Sequence, residues 1–243
     1  MAEVFAWGQN VCGQLGLGNS TNQATPQLLA RLPDGEKLRQ ISSGYRHTVW
    51  VLEGGAVLTC GANGAGQLGL GTSGTGLTAV PRPMPPLPAP VLSACCGHSH
   101  TVLVVVGGGV YSCGDNSYGQ LGLGHRAHEA SPQRVDYMRP RAADPSGGGA
   151  LGGAAPSQSA TCGPAVGVAC GCFHTMILTA DGALLGCGYN TFGQLGLGSI
   201  DDESRPRMLP PLPAPFNAPN SVRQVCCGGQ HTVVVAQGHA STG

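Results

Sequence analysis

The hexapeptide Gly-Gln-Leu-Gly-Leu-Gly occurs four times in this chain of 243 residues. Its copies begin at Gly13, Gly66, Gly119 and Gly193, so successive copies start 53, 53 and 74 residues apart. A repeat of this length is typical of solenoids, propellers and arrays, in which each unit buries its apolar face against the next. The repeat therefore predicts one domain over residues 1–243, built from copies of a single unit.

Each unit contains four short runs that favour β-strands. The first run is apolar and ends in glycine, and an asparagine follows two residues later. The second contains a proline, which has no N–H to donate to a neighbouring strand, so we expect it at the start of an edge strand. The third leads into Gly-x-x-His-Thr, and a β-rich fourth run follows directly. The prolines are Pro26, Pro81, Pro132 and Pro206, and the histidines are His47, His100, His174 and His231.

Four strands in each of four units, with no segment of helical periodicity, predict an all-β protein. The expected architecture is of the β-propeller type, with four blades of four antiparallel strands. The repeats cover about residues 4–52, 57–105, 110–179 and 184–236. Residues 141–160 form an insertion within the third repeat, and their Gly, Ala, Pro and Ser content predicts a flexible surface loop.

Charge and cysteine content argue against several classes of function. Twelve basic and twelve acidic side chains leave no net charge to attract nucleic acid or anionic lipid. No apolar stretch approaches the ~20 residues of a membrane helix, and no secretory signal begins the sequence, so we expect a cytoplasmic or nuclear chain. The eleven cysteines recur with the repeat, which predicts reduced, buried thiols rather than disulfides.

The repeated histidines are the first candidates for catalysis or metal binding. One occurs in each unit, however, so symmetry places them in separate blades, and we expect each to bond locally to backbone. The pairs Cys95-Cys96 and Cys226-Cys227 lack the Cys-x-x-Cys spacing of structural zinc sites. No catalytic arrangement can be singled out, so the chain is predicted to be no enzyme and to bind no cofactor or metal.

Together, the hexapeptide, the Trp-Gly or Cys-Gly before it, the downstream proline and the Gly-x-x-His-Thr strand resemble the repeat of the regulator of chromosome condensation family. The resemblance covers nearly the whole chain apart from the insertion. Members of that family typically form seven-bladed propellers. Four repeats then imply an incomplete, open propeller, either an arc or a fragment, in preference to an unusually small closed ring. The exposed end sheets of an arc would allow self-association with another copy.

The variable residues of the Gly-x-x-His-Thr motif are candidates for partner binding, because Tyr, Phe and Arg are favoured at interfaces. Ordinary solvated loop tips would occupy the same positions. In the family's plant UV-B photoreceptor branch the motif reads Gly-Trp-Arg-His-Thr, and tryptophan is absent from all four copies here, which argues against light sensing. The candidates are Tyr45, Arg46, His98, Ser99, Cys172, Phe173 and Gln230.

A non-enzymatic protein-protein interaction module is the first function that these features predict. The resemblance implies two alternatives: a guanine nucleotide exchange factor or regulator of a Ran-type small GTPase, and a chromatin or histone-binding protein. Two Pro-Pro-Leu-Pro segments also resemble ligands of WW domains, although a rigid extended connector needs the same residues. These segments are Pro85, Pro86, Leu87, Pro88 and Pro210, Pro211, Leu212, Pro213.

Overall fold

A computed structural model describes residues 3–29, 36–137, 162–218 and 221–238. These residues contain sixteen β-strands, and no helix among them is long and apolar enough to cross a membrane. The predicted insertion at residues 141–160 lies outside the described residues. The all-β, propeller-type prediction is confirmed.

The strands form three four-stranded antiparallel sheets and two two-stranded ones. Each four-stranded sheet joins the last two strands of one repeat to the first two of the next, so the predicted fourth blade is present as two separate halves. The half-sheets are β1 (Phe5–Gly8) with β2 (Gln23–Leu28), and β15 (Val222–Cys227) with β16 (Thr232–Ala236). The complete sheets are β3 (Leu38–Ser43), β4 (His47–Leu52), β5 (Val57–Asn63), β6 (Gly74–Pro83); β7 (Val91–Cys96), β8 (His100–Val105), β9 (Val110–Gly114), β10 (Glu129–Val135); and β11 (Ala165–Cys170), β12 (His174–Thr179), β13 (Leu184–Gly188), β14 (Glu203–Met208).

The core lies between neighbouring sheets rather than inside any one of them. Every residue of β4, β8 and β12 is buried, because these strands have a sheet on both sides. Val49 and Leu103 belong to one cluster between adjacent sheets, and Val102 and Ile177 belong to the next. Each sheet is therefore stabilised chiefly by its neighbours, as in other repeat folds.

The repeated prolines lie on edge strands, as predicted, but the expected position within the strand was wrong. Pro26, Pro81, Pro132 and Pro206 lie inside β2, β6, β10 and β14 rather than at their starts. The outer edge of such a strand pairs with no other strand in the described structure, so a missing N–H is tolerated there. The pairing of β9 with β10 shifts register between Glu129 and Gln133, which accommodates Pro132.

Candidate protein-interaction face

The hexapeptide loops are fixed by a buried asparagine. In the third repeat, Asn116 Oδ1 accepts the N–H of Leu121 at 3.0 Å, and Asn116 Nδ2 donates to the carbonyl of His125 at 2.8 Å. The other three repeats make the same first contact at 2.9 to 3.1 Å. Gly119 begins the hexapeptide at a φ of 83°, which is a left-handed conformation that only glycine adopts without strain. The loops are therefore preorganised.

A buried glutamine then positions the residue that precedes each hexapeptide. Gln120 Oε1 accepts the N–H of Tyr118 at 3.0 Å, while the Gln120 carbonyl accepts the hydroxyl of Thr175 at 2.8 Å. Thr175 belongs to β12 of the neighbouring sheet, so the glutamine ties the loop to that sheet. The fourth repeat repeats the first contact between Gln194 and Phe192 at 3.0 Å.

Six ring side chains, three from the hexapeptide loops and three from the Gly-x-x-His-Thr loops, form one continuous row, which we call the aromatic row. Tyr45 stacks on His98 with centroids 4.4 Å apart and an interplanar angle of 16°. The His98 and Tyr118 rings each lie 5.4 Å from Phe173. The row continues at 4.8 Å and then 6.0 Å between centroids. Its members in order are Tyr45, His98, Phe173, Tyr118, Tyr189 and Phe192.

The aromatic row is open to solvent, most of all at its two ends. Tyr45 is 54% exposed and Phe192 is 65% exposed, whereas the rings between them are partly buried against one another. The guanidinium of Arg46 lies 5.1 Å from the Tyr45 centroid, within the range of a cation–π interaction. An apolar surface with a cation at one end can contact a protein partner.

Most of the predicted partner-binding residues lie along this row. The Ser99 hydroxyl lies 3.0 Å from Nδ1 of His98, and the Cys172 carbonyl accepts the N–H of His98 at 3.2 Å, so both support the row. Gln230 is exposed in the last Gly-x-x-His-Thr loop and contributes no ring to it. The partner-binding role itself stays a prediction.

Sequence reasoning missed half of the row. Tyr118 and Phe192 directly precede a hexapeptide, and Tyr189 directly follows the glycine that ends β13. The available signal was that rings occupy these positions only in the third and fourth repeats. Comparing the same position between repeats would have found them.

The repeated histidines lie in separate sheets, as expected, but their expected bonding to backbone was wrong. His47, His100 and His174 place Nε2 3.0 to 3.1 Å from a threonine hydroxyl of the next sheet. Those threonines donate their own protons to glutamine carbonyls, so each Nε2–H is the donor to the hydroxyl. Burial lowers the pKa of His47 and His174 to about 4 and that of His100 to about 3. The three rings are therefore neutral and connect neighbouring sheets by hydrogen bonds.

Six of the eleven cysteines are buried, four are partly exposed and Cys226 is exposed, so the prediction of buried thiols holds only in part. All eleven are free, and burial raises the pKa of the Cys187 thiol to about 12. Cys60 and Cys113 are fully buried at the same position of other repeats, and burial raises their pKa values as well. Among the described residues, no three His, Cys, Asp or Glu side chains are grouped so as to hold a metal ion.

The two proline-rich segments turn their leucines inward. Leu87 packs against the core between the first two complete sheets. Leu212 packs against the cluster between the third complete sheet and the half-sheet of β15 and β16. The second copy is not extended throughout, because a turn is closed by the N–H of Phe216 and the carbonyl of Pro213 at 2.9 Å. Only the prolines are exposed for recognition by another domain, which stays a prediction.

The stacked sheets and the loop-borne aromatic row define a propeller-repeat protein with a preorganised, exposed face. The model of the regulator of chromosome condensation (RCC1) repeat matches residues 2–51, 54–104, 107–178 and 181–235. The chain belongs to this repeat family.

Relatives of known sequence share the repeats within longer proteins. The Ultraviolet-B receptor UVR8 of Arabidopsis thaliana is 33% identical over 236 residues, which are 97% of this chain and 47% of the receptor. The Secretion-regulating guanine nucleotide exchange factor of Mus musculus is 35% identical over 140 residues, which are 57% of this chain and 30% of that protein. The chain thus spans less than half the length of either relative.

Solved structures show the same fold. Human WBSCR16 superposes with a TM-score of 0.74 at 24% identity, over 96% of this chain and 54% of that one. Prp20p of Saccharomyces cerevisiae, described with its binding to Gsp1p and histones, superposes with a TM-score of 0.77 at 19% identity, over 99% of this chain and 53% of that one. At these identities the likeness concerns the fold alone.

Proposed function

We propose that this chain is a non-catalytic protein-interaction module that binds a partner protein through the aromatic row. The observation that carries the proposal is the continuity of six rings across loops from different sheets. Exposed clustered aromatics with an adjacent arginine are the composition of interface hot spots, whereas scattered exposed apolar residues carry no such meaning.

Rigid loops make this face suited to binding. The asparagine and glutamine contacts fix the backbone beneath Tyr118 and Phe192 before any partner arrives. Binding then loses less conformational entropy than it would with mobile loops. Each loop joins two strands of one sheet and contacts the neighbouring sheet, so the spacing of the rings follows from the stacking of the sheets.

The test is capture of partners from nuclear and cytosolic extracts with matched baits. Tyr45→Ala and Phe192→Ala remove exposed rings, so both variants should fold like the wild type. Leu77→Ala and Val80→Ala are the controls, because these residues are 53% and 56% exposed on β6 without joining the row. We expect a true partner to bind each ring variant about tenfold more weakly, the size of a modest hot spot, and to bind the controls unchanged. Equal recovery with all five baits would refute the proposal.

A second candidate is exchange activity toward a small GTPase of the Ran type. The observation that favours it is the identity to the secretion-regulating exchange factor. Purified chain would be mixed with GTPases loaded with fluorescent nucleotide, and nucleotide release would be followed over time. Faster nucleotide release from one GTPase, with this acceleration lost in Tyr45→Ala, supports exchange activity. If release from every GTPase is unchanged, exchange activity is refuted and the proposed binding module stands without it. Enrichment of histones in the capture experiment would instead favour a chromatin partner.

A further inference from the structure

At opposite ends of the stack, two strand edges have no partner among the described strands, unlike their equivalents in the complete sheets. In each complete sheet the strand that begins at the repeated histidine pairs with the glycine-ended strand of the next repeat, in the register His47↔Gly61, His100↔Gly114 and His174↔Gly188. The equivalent strands β16 and β1 lie in separate two-stranded sheets of the described structure. Continuing the register places His231 opposite Gly8.

Gly8 keeps the conformation of its equivalents without the neighbour that requires it. Its φ is 106°, against 105° to 111° at Gly61, Gly114 and Gly188. A Cβ at any of those three would collide with the backbone carbonyl of the residue just before the paired strand, whereas a Cβ at Gly8 would have no described residue within 4 Å. The space beside Gly8 has room for a paired strand, and no described strand fills it.

The side chains at both ends are exposed where their equivalents are buried. Val233 is 58% exposed and Val235 is 55% exposed, whereas Val49 and Val51 at the same repeat positions are fully buried. At the other end, Trp7 is 59% exposed at the position of the fully buried Cys60. Exposed apolar strands with free edges are sites for pairing with another chain.

The hexapeptide loop at Gly193 and the outer strand β2 are also complementary ends of the stack. Each of the first three loops presses its opening glycine onto a small residue of the next outer strand; a Cβ on Gly13 would lie 2.6 Å from Ala79. In the fourth loop, a Cβ on Gly193 would have no described residue within 4 Å. Ala24 of β2 is the corresponding small residue, two positions before the repeated proline, and it is exposed.

The side chains that form polar contacts between neighbouring sheets are exposed in the last half-sheet, where no described sheet follows. His174 reaches Thr232 at 3.1 Å, but His231 is exposed, and Thr48 receives no histidine in the described structure. The amide of Gln40 exchanges two hydrogen bonds with the Ala94 backbone at 3.0 and 2.9 Å, whereas the equivalent Gln224 is exposed. One end of the stack thus presents the groups that the other end is built to receive.

We propose that two copies of this chain join end to end, with β16 of each pairing antiparallel to β1 of the other. Each junction completes a four-stranded sheet from two halves, places His231 on Thr48 of the other copy and seats the Gly193 loop on Ala24. A second copy is the occupant because one chain carries both missing halves. The chain also superposes on 53% to 54% of the related structures, so two copies supply slightly more than the length of one such chain. The pair has eight four-stranded sheets, three from each copy and one at each junction. Two identical junctions close the assembly.

The first test is the mass of the purified full chain in solution, measured over a range of concentrations. We expect twice the 24.4 kDa of one chain. Val233→Arg places a charge in the proposed junction and should weaken association at least about tenfold, because a desolvated unpaired charge opposes docking. Val166→Arg is the matched control: Val166 is 59% exposed, and arginine occupies its repeat position at Arg39 and Arg223.

The second test fixes the register. One copy carries Ala6→Cys and the other Val233→Cys, which the register Val49↔Thr59 places directly opposite each other. Mild oxidation should join them in high yield. Phe5→Cys with Val233→Cys is the control pair, because neighbouring residues of a strand point to opposite faces. Each single variant mixed with wild type measures the background from native thiols.

Three outcomes would overturn the proposal. A chain that stays monomeric at every concentration excludes the junction. A dimer insensitive to Val233→Arg, or one that oxidises equally well with the control pair, uses a different surface. A ladder of higher oligomers excludes the closed pair of copies, even if the arginine variant abolishes it.

Discussion

The row of buried histidines predicts that this protein loses stability in mild acid. Burial holds the folded-state pKa values of His47 and His174 at about 4 and that of His100 at about 3, whereas an unfolded histidine titrates near 6.5. Because the folded pKa values are depressed, the unfolded chain binds more protons below about pH 6.5. Stability is therefore fully present above that pH and falls as the pH drops toward 4.

The size of the loss follows from these values. At pH 5.5 an unfolded histidine is about ten times more often protonated than neutral, while the buried ring stays neutral, which costs about 1.4 kcal/mol per histidine. Three such residues cost about 4 kcal/mol, a large share of the 5 to 15 kcal/mol by which domains are typically stable.

Urea unfolding followed by tryptophan fluorescence measures this loss directly, since Trp50 is 3% exposed in the core. We expect the free energy of unfolding to be about 4 kcal/mol lower at pH 5.5 than at pH 7.5. His100→Gln should reduce that difference by about a third, and His174→Gln serves if the first variant does not fold. Carboxylates titrate alike in wild type and variant, so they cancel. If the difference in the free energy of unfolding between pH 5.5 and pH 7.5 is the same in both variants as in the wild type, the buried histidines do not cause the loss of stability.

Three further predictions concern packing and access. Gly61→Ala should lower the stability of the fold by more than about 2 kcal/mol, because its Cβ meets a backbone carbonyl. In the Val233→Arg background, where the proposed junction is open, Gly8→Ala at a similar φ should cost only about 1 kcal/mol of backbone strain, and thermal melts compare each variant with its parent. Asn116→Ala leaves buried backbone groups unpaired and should lower the free energy of unfolding in urea by about 2 kcal/mol. Asn116→Asp keeps the acceptor for the Leu121 N–H and should cost less. An alanine variant as stable as the wild type would contradict this prediction. In the Val233→Arg variant, iodoacetamide should label exposed Cys226 before buried Cys113, and equal rates by mass spectrometry would contradict the burial described.

The strands and loops could be read from the sequence because each has a local cause. Glycines at left-handed positions mark the loops, β-rich runs mark the strands, and prolines without a donor mark the edge strands. The division into sheets has no such cause, since a repeating pattern can be cut at any point. The structure shows that each complete sheet contains strands of two repeats, because β4 pairs with β5, β8 with β9 and β12 with β13 across the boundary between repeats.

The candidate site was half predictable for a related reason. Tyr45, His98 and Phe173 belong to one motif and are aligned by the stacking of sheets. Tyr118 and Tyr189 come from other positions of the repeat, and their contact at 4.8 Å depends on how adjacent loops lie in space. The histidine contacts also cross between sheets, so the sequence of one repeat does not contain the partner.

Hydrogen exchange of this chain, alone and with a partner captured in the bait experiment, shows whether the aromatic row is the binding face. We expect slower exchange in the complex at the backbone amides of the loops that carry the aromatic row, from Tyr45 to Phe192, with the outer strands β6 and β10 unchanged. Protection confined to those outer strands, with the aromatic row exchanging as it does in the free chain, would contradict the claim that this row is the binding face.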